Sequence, residues 1–199
     1  MRIFLVLIVM MMSSAFVMAQ DNYGFKVGGV DVTSDNYLDL TEINGVSGKV
    51  YFDPNTRTLT LDNATIEAND CNAILNETCR NLVIELLGTN TINVTNSAGI
   101  YTRESTVILG DGGAKLSVKS DLCALLFGGC PLEINNCWLE AEGKWGISAS
   151  YNEAEEVLTI RNSHVEATGP TGSICDIAGL KLEGCYIDIP YLSLIHISE

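Results

Sequence analysis

INNCWLEA, residues 134–141, sets the pattern for most of the chain. It reads as an aliphatic residue, a two-residue corner ending in Asn, a small residue, an outward-type residue, an aliphatic, a carboxylate and a small residue. It returns as LDNATIEA (61–68), IRNSHVEA (160–167) and LEGCYIDI (182–189). Self-similar segments recurring about every 20–50 residues mark a solenoid, in which one unit cannot bury its apolar side until a neighbour stacks on it.

Around the octets, two short alternating strands recur per unit. The inward pairs of the first read Leu59/Leu61, Leu82/Ile84, Val107/Leu109, Leu132/Ile134, Leu158/Ile160 and Leu180/Leu182. Those of the second read Ile66/Ala68, Ile92/Val94, Leu116/Val118, Leu139/Ala141, Val165/Ala167 and Ile187/Ile189, at spacings of 26, 24, 23, 26 and 22 residues. A third strand precedes the first in most units, at Ala73-Ile74, Gly99-Ile100, Ala124-Leu125, Gly146-Ile147 and Ser173-Ile174. Three strands per unit without a helical period predict an all-β chain, a parallel β-helix of about six coils. It should be right-handed, as parallel crossovers are. The corner residues Asn63, Asn136, Asn162 and Gly184 are types that accept φ > 0. Asn residues aligned on consecutive coils predict an amide ladder along the stack.

The flanks read differently. Arg2 followed by the apolar run 3–12 and the small-residue site Val17-Met18-Ala19 forms a secretory signal peptide, residues 1–19, and all five Met residues fall within it. Residues 20–57 read as an N-terminal cap, with a glycine-turn hairpin at 25–32, a strand at 48–52 and a turn at Asp53-Pro54-Asn55. The coils occupy 58–191. The tail 192–199 (LSLIHISE) resembles a translated sequencing adapter, which would leave the β-helix truncated at its C-terminal end; its alternative is a last strand.

Losing Arg2 takes the formal charge from -14 to -15. Nucleic acids and anionic membranes need a basic footprint, so neither is an expected partner, and no later stretch is long enough to span a bilayer. Seven cysteines leave at least one unpaired. Cys137 and Cys185 hold the octet's small position and read as core residues, while Cys71 and Cys79 have the spacing of a loop bridge.

On a β-helix the outward positions become columns whose members lie about 4.8 Å apart. One is expected to run Thr65, Thr91, Lys115, Trp138, His164, Tyr186, and its neighbour Glu67, Asn93, Ser117, Glu140, Glu166, Asp188. The last three coils thus set an aromatic strip, Trp138–His164–Tyr186, beside an acidic one, Glu140–Glu166–Asp188. Aromatic faces suit the C–H faces of sugars, and carboxylates accept bonds from their hydroxyls. Stacked acids repel unless bridged, and Ca²⁺ is the cation that Glu140, Glu166 and Asp188 would take. The competing reading is a solvated sheet face whose aromatics stack across coils. No catalytic residues are assigned: Arg103 and Arg161 lie away from the acids, and no nucleotide, redox or nucleophile motif appears.

GKVYFDPNTRTLTLDNATIEA (48–68), NLVIELLGTNTINV (81–94) and the recurring Gly-Ile resemble the secreted β-helical proteins of gut-type bacteria described as carbohydrate-binding domain-containing proteins. The resemblance covers 25–189. It implies a non-catalytic, secreted or cell-surface polysaccharide-binding role, calcium-assisted and directed toward acidic glycans. Its motifs are architectural, so no binding residue is carried over from it. A stalk presenting a further domain, and a polysaccharide lyase, remain the alternatives, in that order.

Overall fold

The computed structural model describes residues 20–150, 153–188 and 195–197. The expected signal peptide, residues 151–152, residues 189–194 with the start of the tail, and residues 198–199 lie outside them. All regular structure among the described residues is β, and the strands stack in parallel as the expected right-handed β-helix.

Each coil has three faces. On the first lie the start of Thr58–Asn69, then Leu82–Leu87, Thr106–Gly110, Leu132–Asn135, Val157–Arg161 and Gly179–Glu183. On the second lie the end of Thr58–Asn69, then Thr89–Thr95, Lys115–Ser120, Trp138–Glu142, His164–Thr168 and Tyr186–Asp188. The third carries Ile74–Asn76, Ile100–Thr102, Cys123–Phe127, Trp145–Ala149, Gly172–Ile177 and Ile195–Ile197. Each face therefore has six rungs, the last supplied on the third face by part of the tail.

The core consists of columns of like residues. Leu59, Ile84, Ile108, Ile134 and Ile160 stack in register, as do Ile66, Ile92, Val118, Ala141 and Ala167, and Ile74, Ile100, Leu125, Ile147 and Ile174; none of these is more than 1% exposed. Each buried aliphatic contributes roughly 1.5–3 kcal/mol, and only a neighbouring coil can supply that burial. One inward pair differs from expectation. Thr106 and Ile108 point in, and Val107 and Leu109 point out half-buried, because Thr-Val-Ile-Leu-Gly is apolar throughout and conceals its own parity.

The corners have the expected backbone, with φ of 49° at Asn63, 56° at Asn136, 47° at Asn162 and 58° at Gly184. The amide ladder is absent there. Asn63 faces Gly88 on the next rung and accepts the Thr89 N–H (3.2 Å), while Asn136 donates to the Gly110 carbonyl (3.1 Å). A Cβ on Gly88 would lie 2.4 Å from the Asn63 amide oxygen, so with Asn63 turned this way only Gly fits at 88. Side-chain ladders form instead at the corner between the second and third faces. There Asn96 donates its amide to Asp70 (2.9 Å) and its backbone N–H to Asp121 (2.7 Å), and Thr95 donates to Asn69.

The cap pairs antiparallel on two faces. Asn22–Val27 and Val30–Thr33 form the glycine-turn hairpin, and the former lies along Ile74–Asn76. Val46–Asp53 lies along Thr58–Asn69. Phe25 and Phe52 plug the coil end, their centroids 4.8 Å apart. Antiparallel cover removes the open strand edge that a first coil would otherwise present to other chains.

All seven cysteines are free, so the Cys71–Cys79 bridge is not formed. Cys79 is held inside by the Asn76 amide, and the Cys71 thiol lies against Gly29 of the cap turn. Cys137 fills its octet position in the core as expected, and Cys185 is half-buried. Burial pushes the Cys137 thiol up to about 11 and the Cys123 thiol up to about 12, against an ordinary 9.0. The folded chain therefore holds protons that the unfolded chain releases above pH 9. Stability from these thiols is complete below that pH and is lost as the pH climbs through 11–12. Thermal unfolding between pH 8 and 11 should fall less steeply in a Cys123→Ala/Cys137→Ala variant than in the parent. Parallel slopes would remove the thiols from the account.

Candidate functional site

The second face carries the sequence-expected site, and its last three rungs are in the expected register. Trp138 pairs with His164 and His164 with Tyr186, while Glu140, Glu166 and Asp188 align two residues along. The octets on these rungs have equal corners, so their spacing transfers directly to space.

Further up the stack the columns differ from expectation by two residues. Lys115 aligns with Thr89, Ser117 with Thr91 and Lys119 with Asn93. The corner before Thr89 is the short Leu87-Gly88, and that before Lys115 is the longer 110–114; a two-residue slip keeps side-chain parity, so alternation cannot reveal it. The observed columns are Thr89–Lys115–Trp138–His164–Tyr186, Thr65–Thr91–Ser117–Glu140–Glu166–Asp188, and Glu67–Asn93–Lys119–Glu142–Thr168.

The aromatic strip is a stack. The rings of Trp138 and His164 lie 4.1 Å apart at 15°, and those of His164 and Tyr186 4.7 Å apart at 43°. From the preceding rung, Lys115 Nζ sits 4.4 Å from the Trp138 centroid. Both faces of Trp138 are therefore occupied, and the strip presents ring edges rather than the faces expected for sugar stacking. Only Tyr186, 60% exposed, offers a wide aromatic surface. Trp138 Nε1 is buried without an acceptor among the described residues, which fits a ring held by its neighbours.

The acids are in one column but are not drawn into a chelating group. Glu166 Oε1 bonds His164 Nε2 at 3.2 Å, and among the described residues no group of three or more His, Cys, Asp or Glu side chains is placed to hold a metal ion. Outward side chains on a flat sheet run parallel, about 4.8 Å apart, so register alone does not make Glu140, Glu166 and Asp188 converge. Arg161 is engaged on the first face, with Glu183 at 3.1 Å and Glu133 at 3.6 Å, and Arg103 lies over Tyr101 on the third.

Beside these columns runs a trough of about 740 Å³ that the sequence reading missed. Glu67, Asn93, Lys119 and Glu142 line it in register, and Asn69, Thr95 and Asp121 form its corner side. It crosses four rungs, roughly 14 Å along the coil axis. Asn44 and Gly45 of the cap turn bound one end, where the Gly45 carbonyl accepts the Glu67 N–H (2.8 Å). Lys119 bonds Glu142 at 2.8 Å, and that carboxylate holds the ammonium above its ordinary pKa. The trough depends on a cap turn meeting the first coil and on the register of three more beyond it, and no local signal encodes that arrangement. The face as a whole aligns hydroxyls, amides, carboxylates and an ammonium along one axis, which suits a linear, hydroxyl-bearing ligand.

No family model, curated protein or solved structure matches the chain. No helix of the described residues is long and apolar enough to cross a membrane.

Proposed function

We propose that the second face binds a polysaccharide without chemically altering it, outside the cell or on its surface, where the N-terminal leader read from the sequence would deliver the chain. The observation that carries this reading is the axial trough with its in-register polar columns. A linear glycan offers donors and acceptors at a repeat close to the coil spacing, and its hydroxyls can take the place of water along Glu67, Asn93 and Glu142. Glu140 extends the same surface toward the aromatic edges, with Tyr186 as its one broad apolar contact. The carbohydrate-binding character implied by the sequence resemblance points the same way. Calcium enters this reading through charge alone, as a bridge from Glu140, Glu166 and Asp188 to an acidic glycan.

The test is affinity electrophoresis against a panel of soluble polysaccharides, with and without EDTA. Asn93→Ala combined with Glu140→Ala removes one amide from a half-buried position and one carboxylate from an exposed one. The variant should bind at least tenfold more weakly, since such bonds contribute about 0.5–3 kcal/mol each. Its melting temperature should be nearly unchanged, because surface substitutions away from special features cost within about 0.5 kcal/mol. Equal retention of variant and parent removes the face from binding. Retention of nothing in the panel leaves the stalk reading, and appearance of unsaturated sugar products reinstates the lyase.

A further inference from the structure

The third face holds a separate concavity of about 500 Å³. Its origin is local. Ala124 and Leu125 are consecutive and both fully buried, and the next rung repeats this with the buried pair Gly146-Ile147. Two adjacent inward residues spread their outward neighbours apart, so Cys123 and Trp145 stand on one side of a gap and Leu126 and Ser148 on the other. Tyr101, in register with Leu126, and Leu122, 41% exposed, complete the walls. The floor is kept low by small side chains, with Cys123 4% and Ser148 5% exposed.

The lining is mainly apolar and aromatic, with a few polar groups at the rim, and its volume is in the range of small-molecule sites. Burial keeps the Cys123 thiol protonated, its pKa pushed up to about 12, so it acts as an uncharged wall. Asp176, exposed at the rim, accepts from Ser148 (3.4 Å), and Asn72, also lining the groove, donates to the Ala98 carbonyl (3.1 Å).

Charge narrows the ligand. Lys144 sits 4.5 Å from the Trp145 centroid and the Arg103 guanidinium 5.0 Å from that of Tyr101, which disfavours a cation on these rings. Asp176 and a net charge of -14 disfavour an anion. A neutral ligand remains, with an apolar patch for the floor and hydroxyls for the rim. We infer that this groove binds a neutral pyranose bearing a methyl or acetyl group, its ring against Trp145 and its substituent on the small-residue floor. The assignment rests on the carbohydrate reading for its ligand class and on a different face for its residues.

The chain has two Trp residues, so Trp138→Phe leaves Trp145 as the sole reporter. Its fluorescence is titrated with fucose and N-acetylglucosamine, and with glucose, glucosamine and glucuronate as controls. A saturable change is expected for either or both of the first two, at least tenfold weaker for glucose and absent for the charged sugars. Ser148→Leu, which fills the gap, should abolish it, as should Tyr101→Ala; circular dichroism checks that each variant is folded. Silence toward every sugar, a change that survives both variants, or a response to an apolar dye alone overturns the assignment. Retention of polysaccharide by the parent with Trp145 silent refutes this groove only. A Trp145 response with undiminished retention by Asn93→Ala/Glu140→Ala refutes the second-face reading only.

Discussion

Ile108→Lys should abolish the folded solenoid, and Val107→Lys, one residue away, should leave it standing. Ile108 is fully buried between Ile84 and Ile134. Replacing it forfeits roughly 1.5–3 kcal/mol of burial and places an unpaired ammonium among aliphatics, at a further several kcal/mol. The sum is comparable with the whole stability of a domain, about 5–15 kcal/mol. No acid faces the interior at this level, and the coils above and below leave no route by which a lysine could reach water. Val107 is half-buried on the outside, in register with Val83 and Glu133. A lysine there keeps its stem on the sheet and its charge near Glu133, so its effect should stay within about 0.5 kcal/mol. Far-UV circular dichroism and thermal melts separate the two outcomes. A folded Ile108→Lys beside an unfolded Val107→Lys would restore the opposite parity.

That pair of variants marks where the sequence stops being readable. The octets announce the solenoid because an Asn or Gly corner, a small residue and an alternating tail each have a structural cause, and all four copies turn the corner from the first face to the second. The Gly-Ile and Ala-Leu strands are equally plain, since Ile74, Ile100, Leu125, Ile147 and Ile174 stack as one column. Thr106–Gly110 is opaque because both faces of that strand are apolar or half-buried. The two-residue slip at Lys115 is opaque for another reason: it arises from corner length, and Asn90, buried at 1%, makes the short corner possible. Asn90 accepts the Ala64 N–H (2.9 Å) and donates to the Leu87 (3.2 Å) and Lys115 (3.3 Å) carbonyls. A polar residue inside a solenoid cannot be told from an outward one until its backbone partners are known.

The site was legible in part for the same reasons. Trp138, His164 and Tyr186 were placed correctly because equal octets have equal corners, and the acids follow them. Alternation gives the direction of a side chain but not the plane of its ring, so the sandwiching of Trp138 by Lys115 and His164 lay beyond it. The trough and the third-face groove lay further out of reach. The first needs the cap turn at 44–45 brought against the first of four coils in register, and the second needs two adjacent residues to turn inward, which breaks the period-two rule on which strand reading depends.

Gly48→Ala should lower the melting temperature by about 4–16 °C, from a loss of about 2–4 kcal/mol. The cap strand Val46–Asp53 must follow Thr58–Asn69 past the Asn63 corner, and there the register breaks: Ser47 pairs with Thr65 but Lys49 with Asp62. Gly48 thus stands alone opposite Asn63 and Ala64, with φ of 89°. A Cβ at Gly48 would lie 2.3 Å from the Asn63 carbonyl oxygen and 2.7 Å from the Ala64 Cα. Those are backbone atoms of the first coil, and they cannot give way without moving the corner itself. The cost combines left-handed strain on a residue with a side chain and overpacking against a rigid strand. Gly113→Ala is the control, since its added Cβ would meet only the Asp111 carboxylate at 3.7 Å. Its melting temperature should stay with the parent's. The loosened cap has a second consequence. Once Val46–Asp53 lifts, the strand edge of Thr58–Asn69 is exposed, and an open edge pairs with other chains. Gly48→Ala should therefore also show concentration-dependent association by light scattering well below its melting temperature. A variant that melts and scatters like the parent would mean that the cap does not hold the first coil.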